Sequence, residues 1–171
     1  MDKMDYSSFY ITQALFKLME KEDYRSINIS DISKKAGVGR ATFYRHFKTK
    51  EDIIISFFKD KTKEFVKGLI YKPRSDEDYQ DMITKAFDTL YENKEVFQLL
   101  IKSHLEYIYL DYLNEVSFND PVKHFENTTS NYFFRGALYN VSINWVKDDC
   151  RIPINTIVDE YMKIIFRSKQ V

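Results

Sequence analysis

Glycine and proline are scarce in this chain. In the long stretches between them, apolar residues recur with the period of an α-helix. The 171 residues include four glycines and three prolines, which is well below ordinary usage. Between these breakers, apolar residues return every three or four positions, the spacing of an amphipathic helix. We therefore predict an all-α protein of about nine helices.

The sequence lacks several motifs and residue types that particular classes of protein require, and their absence excludes those classes. A single cysteine, Cys150, excludes an intramolecular disulfide and a zinc site built from several cysteines, and it predicts a reducing compartment. No nucleophile elbow, phosphate-binding loop or His-Glu-x-x-His motif occurs. No apolar run approaches the ~18 residues of a membrane span, and the N-terminus lacks the core of a signal peptide. We expect a soluble cytoplasmic protein that is not an enzyme, needs no metal or cofactor and contacts no membrane.

The zero net charge conceals a basic segment near the N-terminus. Residues 1–50 hold ten lysines and arginines against six acidic residues, whereas residues 51–171 hold 16 against 20. From Lys34 to Lys50 there are six basic residues and His46, with no carboxylate. A local basic footprint of this kind indicates a polyanion bound at one place, although such a run also occurs as an ordinary solvated face.

Two short helices with well-specified ends fall inside this segment. Asn28 and Asp31 have the spacing of a capping box at the start of a helix, and Gly37 is suited to its end. A second helix then begins at Arg40 and runs to His46. Two short helices joined by a glycine-centred turn predict a helix-turn-helix over residues 28–50.

The second helix carries the side chains expected to read DNA. Phe43 and Phe47 lie on its core face, whereas the opposite face and its flanks present polar and small residues. Arg40 suits a bidentate contact with guanine, and the methyl group of Ala41 or Thr42 suits a thymine methyl. Tyr44 and Lys50 are expected on phosphates, and the helix that begins near Lys50 is expected to attract anions through its first amides. The predicted DNA-binding residues are Arg40, Ala41, Thr42, Tyr44, Arg45, His46, Lys48 and Lys50.

Periodicity also predicts the remaining helices. One helix covers residues 6–22, with Ser7 or Ser8 as its cap, and another starts after Thr49 and ends near Gly68. Further helical stretches are expected over 77–93, 95–116, 122–147 and 154–168.

The stretch from Ile29 to Ile54 resembles the TetR/AcrR family of bacterial transcriptional regulators. It carries the Ala36-Gly37-Val38 turn, an aromatic Tyr44-Arg-His-Phe47 segment and a Lys48-Thr-Lys50-Glu51 segment, with Ser33 in place of the usual alanine. The resemblance covers residues 10–55, about a quarter of the chain. Asp23 replaces the usual glycine before Tyr24, and Gly39 stands where serine or threonine often caps the recognition helix.

The resemblance implies a three-helix DNA-binding domain over residues 1–50 and a helical regulatory and dimerisation domain over residues 51–171. It also implies a homodimer on double-stranded DNA. Members of this family dimerise through their last two helices, read palindromic operators and commonly release DNA when an inducer binds. In this chain Gly136 and Ala137 are small enough for close helix contact, and the apolar residues around them exceed what one helix pair can bury. The alternative is a core within one chain. The residues assigned to the dimer interface are Gly136, Ala137, Leu138, Val141, Trp145, Ile157, Tyr161, Ile164 and Ile165.

Several aromatic residues of the second half are candidates for an inducer pocket, because ligand sites are mostly apolar with a few polar groups. The candidate residues are Phe87, Tyr91, His104 and Tyr107. An aromatic stripe at helical spacing is also typical of an ordinary core, so both interpretations stay open.

The helix-turn-helix and the resemblance together favour a sequence-specific transcriptional regulator. The resemblance further implies a homodimeric repressor that is released by a small ligand or a partner protein. The alternative is a co-regulator with the same fold that acts mainly through a protein partner and binds DNA weakly or not at all.

Overall fold

A computed structural model describes residues 6–68, 75–115 and 128–167, in which every regular element is a helix. The prediction of an all-α chain is confirmed. The described residues form nine helices: α1 (Ser7–Met19), α2 (Ile29–Ala36), α3 (Arg40–His46), α4 (Lys50–Gly68), α5 (Asp76–Glu92), α6 (Lys94–Lys102), α7 (Tyr107–Glu115), α8 (Thr128–Lys147) and α9 (Ile154–Arg167).

The first three helices pack around one small core. α1 contacts both α2 and α3, and the side chains of Ile11, Leu15, Ile32 and Phe43 are completely buried between them. Because these residues recur at helical spacing on each element, burying them brings the three apolar stripes together.

Helix α4 packs against both halves of the chain. It contacts α1 on one side and α5 and α7 on the other. Near its middle the ring of Phe57 meets Phe16 of α1 at 5.3 Å between centroids. One residue later, Phe58 stacks on Tyr112 of α7 at 5.5 Å. The domain boundary predicted after residue 50 falls at the start of α4, a helix that contacts both groups of helices, and it stays a prediction.

Helices α5 to α9 form the second core. α5 lies at its centre, in contact with α4, α6, α8 and α9. Phe87 of α5 is completely buried and packs edge-on against Trp145 of α8, with 5.4 Å between centroids. The indole Nε1 of Trp145 donates to the carbonyl of Ile152 at 2.8 Å and ties the end of α8 to the turn before α9.

Two details of the predicted elements are wrong. The stretch 95–116 is two helices, because the chain turns between Lys102 and Tyr107, where His104 takes a left-handed φ of 56°. Helix α1 begins at Ser7 after Tyr6, with no side-chain cap. Of the helix predicted over 122–147, residues 122–127 lie outside the described part of the chain.

None of the helices within the described ranges combines the length and the apolar character that crossing a membrane requires.

Candidate DNA-binding site

The helix-turn-helix is set by the capping residues that the sequence predicts. The amide of Asp31 donates to Asn28 Oδ1 at 3.0 Å, and the amide of Asn28 donates to Asp31 Oδ2 at 3.3 Å. Gly37 ends α2 with a left-handed φ of 69°, a conformation that glycine adopts without the steric cost of a Cβ. The predicted capping box, the turn at Gly37 and the bounds of α3 are confirmed.

Two buried phenylalanines hold α3 against the core and leave its other face in solvent. Phe43 has no exposed surface, and Phe47 is also buried. Tyr44, next to Phe43, is 50% exposed, and Arg40, Ala41 and Arg45 are exposed as well. Helix α3 therefore offers a small, polar and basic face at the edge of the first core.

The remaining polar residues of this face lie at its flanks. Thr42 and His46 are half-buried, and His46 Nε2 lies 3.5 Å from Arg45 Nη2. Lys48, just beyond α3, is exposed, as are Lys34 and Lys35 in the last turn of α2. Seven of the eight residues that the sequence assigns to DNA thus lie on α3 or just beyond it and are at least partly exposed.

Lys50 is the eighth, and its ammonium points back into the protein. Its Nζ donates to the carbonyl oxygens of Tyr24 and Ile27, at 2.7 Å in each case. The same nitrogen lies 4.2 Å from the centroid of the Tyr24 ring. Both partners belong to the segment between α1 and α2, so the side chain joins the start of α4 to that segment.

Side chains bond three backbone amides around the start of α4. Asp52 Oδ2 accepts from the amides of Lys48 and Thr49, which precede the helix, at 2.8 and 2.9 Å. Thr49 Oγ1 accepts from the amide of Asp52, in the first turn, at 3.1 Å. The capping-box spacing of Thr49 and Asp52 already indicates this arrangement in the sequence. The expectation that the first amides of α4 attract a phosphate stays a prediction.

Tyr24 and Glu51 complete a cluster that the sequence reasoning missed. The Tyr24 hydroxyl donates to Glu51 Oε1 at 2.6 Å. Burial, followed by the hydrogen bond and charge of Glu51, raises the pKa of Tyr24. Partial burial alone would raise the pKa of Glu51, but hydrogen bonds from Tyr24, its own backbone and Thr49, together with the charge of Lys50, hold that pKa below its ordinary value.

The residues predicted to line an inducer pocket fall into separate places. Phe87 and Tyr91 both lie against Trp145, at 5.4 and 6.2 Å between ring centroids. His104 is exposed in the turn before α7, and Tyr107 is 50% exposed at the start of that helix. A cavity of about 440 Å³ lies elsewhere, between α1, α4 and the start of α6, and none of these four residues lines it.

The residues assigned to a dimer interface divide by their exposure in the single chain. Leu138, Trp145, Ile157 and Tyr161 are buried within the protomer, and Gly136, Ala137 and Val141 are half-buried. Ile164 is 69% exposed, and the side chain of Ile165 lies outside the described part of the chain. Tyr132 and Phe133 of α8, which the sequence reasoning missed, are 56% and 68% exposed.

In comparisons with known proteins, both the N-terminal and the C-terminal part of the chain match family models. Residues 11–57 match the family model described as bacterial regulatory proteins, tetR family. Residues 77–167 match the model of a transcriptional regulator C-terminal region. The fatty acid metabolism regulator protein of Bacillus subtilis (strain 168) is 34% identical over 94 residues, which are 55% of this chain and 41% of that protein.

Two solved structures show the same fold at low sequence identity. Lin0861 from Listeria innocua has a TM-score of 0.70 at 22% identity and is matched over 98% of this chain and 95% of its own. The transcriptional regulator FadR from Bacillus subtilis, solved in complex with stearoyl-CoA, has a TM-score of 0.57 at 22% identity. The match to it covers 91% of this chain and 96% of the FadR chain.

Proposed function

Because the chain belongs to the TetR family of bacterial transcriptional regulators, we propose that it is a homodimeric repressor of a palindromic operator. Its DNA contacts come from α3 of each protomer. The observation that carries the proposal is the exposed, basic face of α3. Phe43 and Phe47 are buried and hold the opposite side of the helix against the core, and no carboxylate occurs between Lys34 and Lys50.

The first turn of α3 reads the base sequence of the operator. Residues that follow it contact phosphates and fix the position of the protein on the DNA. Arg40, exposed at the start of the helix, pairs with O6 and N7 of a guanine, and the small side chains of Ala41 and Thr42 allow close approach to thymine methyls. Tyr44 and Lys48 contact phosphates, which position the protein without reading bases. Arg45 and His46 line the flanks of the same groove.

Dimerisation is supported by exposed apolar residues near the contact between α8 and α9. The Tyr161 hydroxyl of α9 donates to the carbonyl of Phe134 at 3.3 Å. Phe133, the neighbour of Phe134, and Ile164, one turn beyond Tyr161, are both about two-thirds exposed. A Cβ at Gly136 would meet no atom of the described chain within 4 Å, which leaves room for a partner helix. Trp145, Ile157 and Tyr161, which the sequence also assigned to the interface, are buried within the protomer.

Release from DNA is assigned to a small ligand or to a partner protein. Since the FadR structure holds stearoyl-CoA, a long-chain acyl-CoA is the first ligand to test. Acyl-CoA that weakens operator binding supports a ligand-controlled repressor. Capture of a protein that changes operator binding supports the partner-controlled form. A co-regulator without its own operator is the alternative to both.

The DNA contacts are tested by selecting an operator from a random-sequence library and then substituting Arg40. Arg40→Ala should cost about 1–3 kcal/mol at the selected operator and relax the preference at one base pair of each half-site. Arg151→Ala is the control, because Arg151 is exposed, pairs with Asp148 and follows α8. Unchanged affinity and base preference in Arg40→Ala would remove this residue from the readout.

A further inference from the structure

Lys50 lies in the most basic part of the sequence, yet its charge is used inside the protein. The ammonium makes two hydrogen bonds of 2.7 Å to backbone carbonyls and lies over an aromatic ring. Each of these contacts lowers the free energy of a partly buried cation. Lys48, two residues earlier, is exposed. The two lysines therefore face different surroundings despite their similar place in the sequence.

The partners of Lys50 determine what the contact does. Tyr24 and Ile27 are buried, with 7% and 1% exposure, and they stand just before α2. Tyr24 makes three contacts with the start of α4: its carbonyl and its ring contact Lys50, and its hydroxyl donates to Glu51. Lys50 and Glu51 are the first two residues of α4. The cluster thus joins the segment that leads into the helix-turn-helix to the start of α4.

Helix α4 also carries the contacts with the second core. Phe58 packs against Phe97, Tyr109 and Tyr112 at 5.1 to 5.7 Å between centroids. Thr62 Oγ1 accepts from the Tyr112 hydroxyl at 2.7 Å. A fixed angle between α2–α3 and α4 therefore fixes α3 relative to the rest of the protomer.

We propose that Lys50 is a positioning residue, which holds the helix-turn-helix at a set angle to α4 and so sets the distance between the two recognition helices of the dimer. It does this in place of the phosphate contact that its sequence position suggests. The inference rests on the proposed function, because it needs a dimer that reads two half-sites.

The test compares Lys50→Gln with Lys48→Gln on a palindromic operator that the wild-type protein selects from a random library. The first measurement is the slope of log affinity against log salt, which falls by about 0.9 for each phosphate that a variant no longer neutralises. The second is relative affinity for operators whose half-sites are moved together or apart by one and two base pairs, since half-site separation follows protein geometry. The active fraction of each variant is measured by stoichiometric titration.

Lys50→Gln should leave the salt slope unchanged and lower affinity for the best-spaced operator by roughly tenfold, in keeping with hydrogen bonds from a charged group. Its preference for that spacing over its neighbours should flatten. Lys48→Gln should show the opposite pattern, with a lower slope and an intact spacing preference. A variant that is only less stable would have a lower active fraction, and its apparent affinity would fall by the same factor for operators of every half-site spacing.

Three results would overturn the inference: a slope that falls as in Lys48→Gln, a spacing preference identical to that of the wild type, or no effect of the substitution. If circular dichroism shows Lys50→Gln unfolded, Lys50→Met replaces it, because that change keeps an unbranched apolar side chain and removes the ammonium that donates to the carbonyls of Tyr24 and Ile27. It should flatten the spacing preference in the same direction, and an unchanged preference would again contradict the proposal. A wild-type protein that selects no operator fails the proposed function itself, and the inference then fails with it.

Discussion

Glu51 is a carboxylate whose charge depends on the fold around it. It accepts the Tyr24 hydroxyl at 2.6 Å and lies beside Lys50. Partial burial opposes ionisation, but the hydrogen bonds and the neighbouring cation outweigh it and keep the pKa below the ordinary 4.5. A group whose pKa is lowered by folding stabilises the folded state above its unfolded pKa, and that contribution is lost as the pH falls through the folded value.

We predict that Glu51→Gln lowers the thermal midpoint at pH 7 and that the gap to the wild type narrows below about pH 4.5, where folding no longer gains from the charge. Thermal unfolding followed by circular dichroism across pH 3 to 7 at constant ionic strength measures this. Glu64→Gln, an exposed position on the same helix, is the control and should keep a constant offset. Parallel curves for Glu51→Gln and the wild type would show that the Tyr24 contact does not depend on the charge.

At the level of single residues, the sequence predicted contacts between residues close together in the chain, but not contacts between distant ones. Asn28, Asp31 and Gly37 act on amides within a few residues, so their roles follow from spacing. The partners of Lys50 are backbone carbonyls 23 and 26 residues away. Side-chain type and sequence position cannot identify such partners, because tertiary packing brings the carbonyls to the ammonium.

At the level of elements, the prediction failed where the hydrophobic period continues through a turn. Leu105 is buried between α6 and α7, so the apolar pattern of 95–116 does not reveal the break. Neither glycine nor proline marks the turn, and His104 takes the left-handed conformation that residues with a Cβ seldom adopt. Helices α2 and α3 were predicted with the right bounds because caps and a glycine mark their ends.

Exposure on α8 and α9 leads to a prediction for the dimer face. Ile164→Glu places a carboxylate on a side chain that is 69% exposed in the protomer, so it should leave the fold intact and weaken association, because burying an unpaired charge is costly. Sedimentation velocity at several concentrations measures the effect as a fall in dimer fraction. Ile152→Glu, at a 45% exposed isoleucine in the turn before α9, is the control. Equal dimer fractions in wild type and Ile164→Glu would place the interface elsewhere.

At the level of the whole molecule, α4 makes the helix-turn-helix and the second core one continuous structure. Its first residues fasten the segment before α2, and its middle packs into the aromatic cluster of α6 and α7. An effector that moves the second core would therefore be felt at α3 through α4, and also through the direct contact between α6 and α1. The sequence predicted the fold class, but not this connection, which arises from packing between distant segments.

The central claim is that the exposed face of α3 reads a specific DNA sequence. It is tested by gel-shift titration of the purified protein on an operator selected from a random library and on a scrambled duplex of equal length, at two salt concentrations. We predict binding at least ~10³-fold tighter to the operator at the same salt, with this preference lost in Tyr44→Ala. Weak binding that is equal on both duplexes and indifferent to Tyr44 would contradict the account.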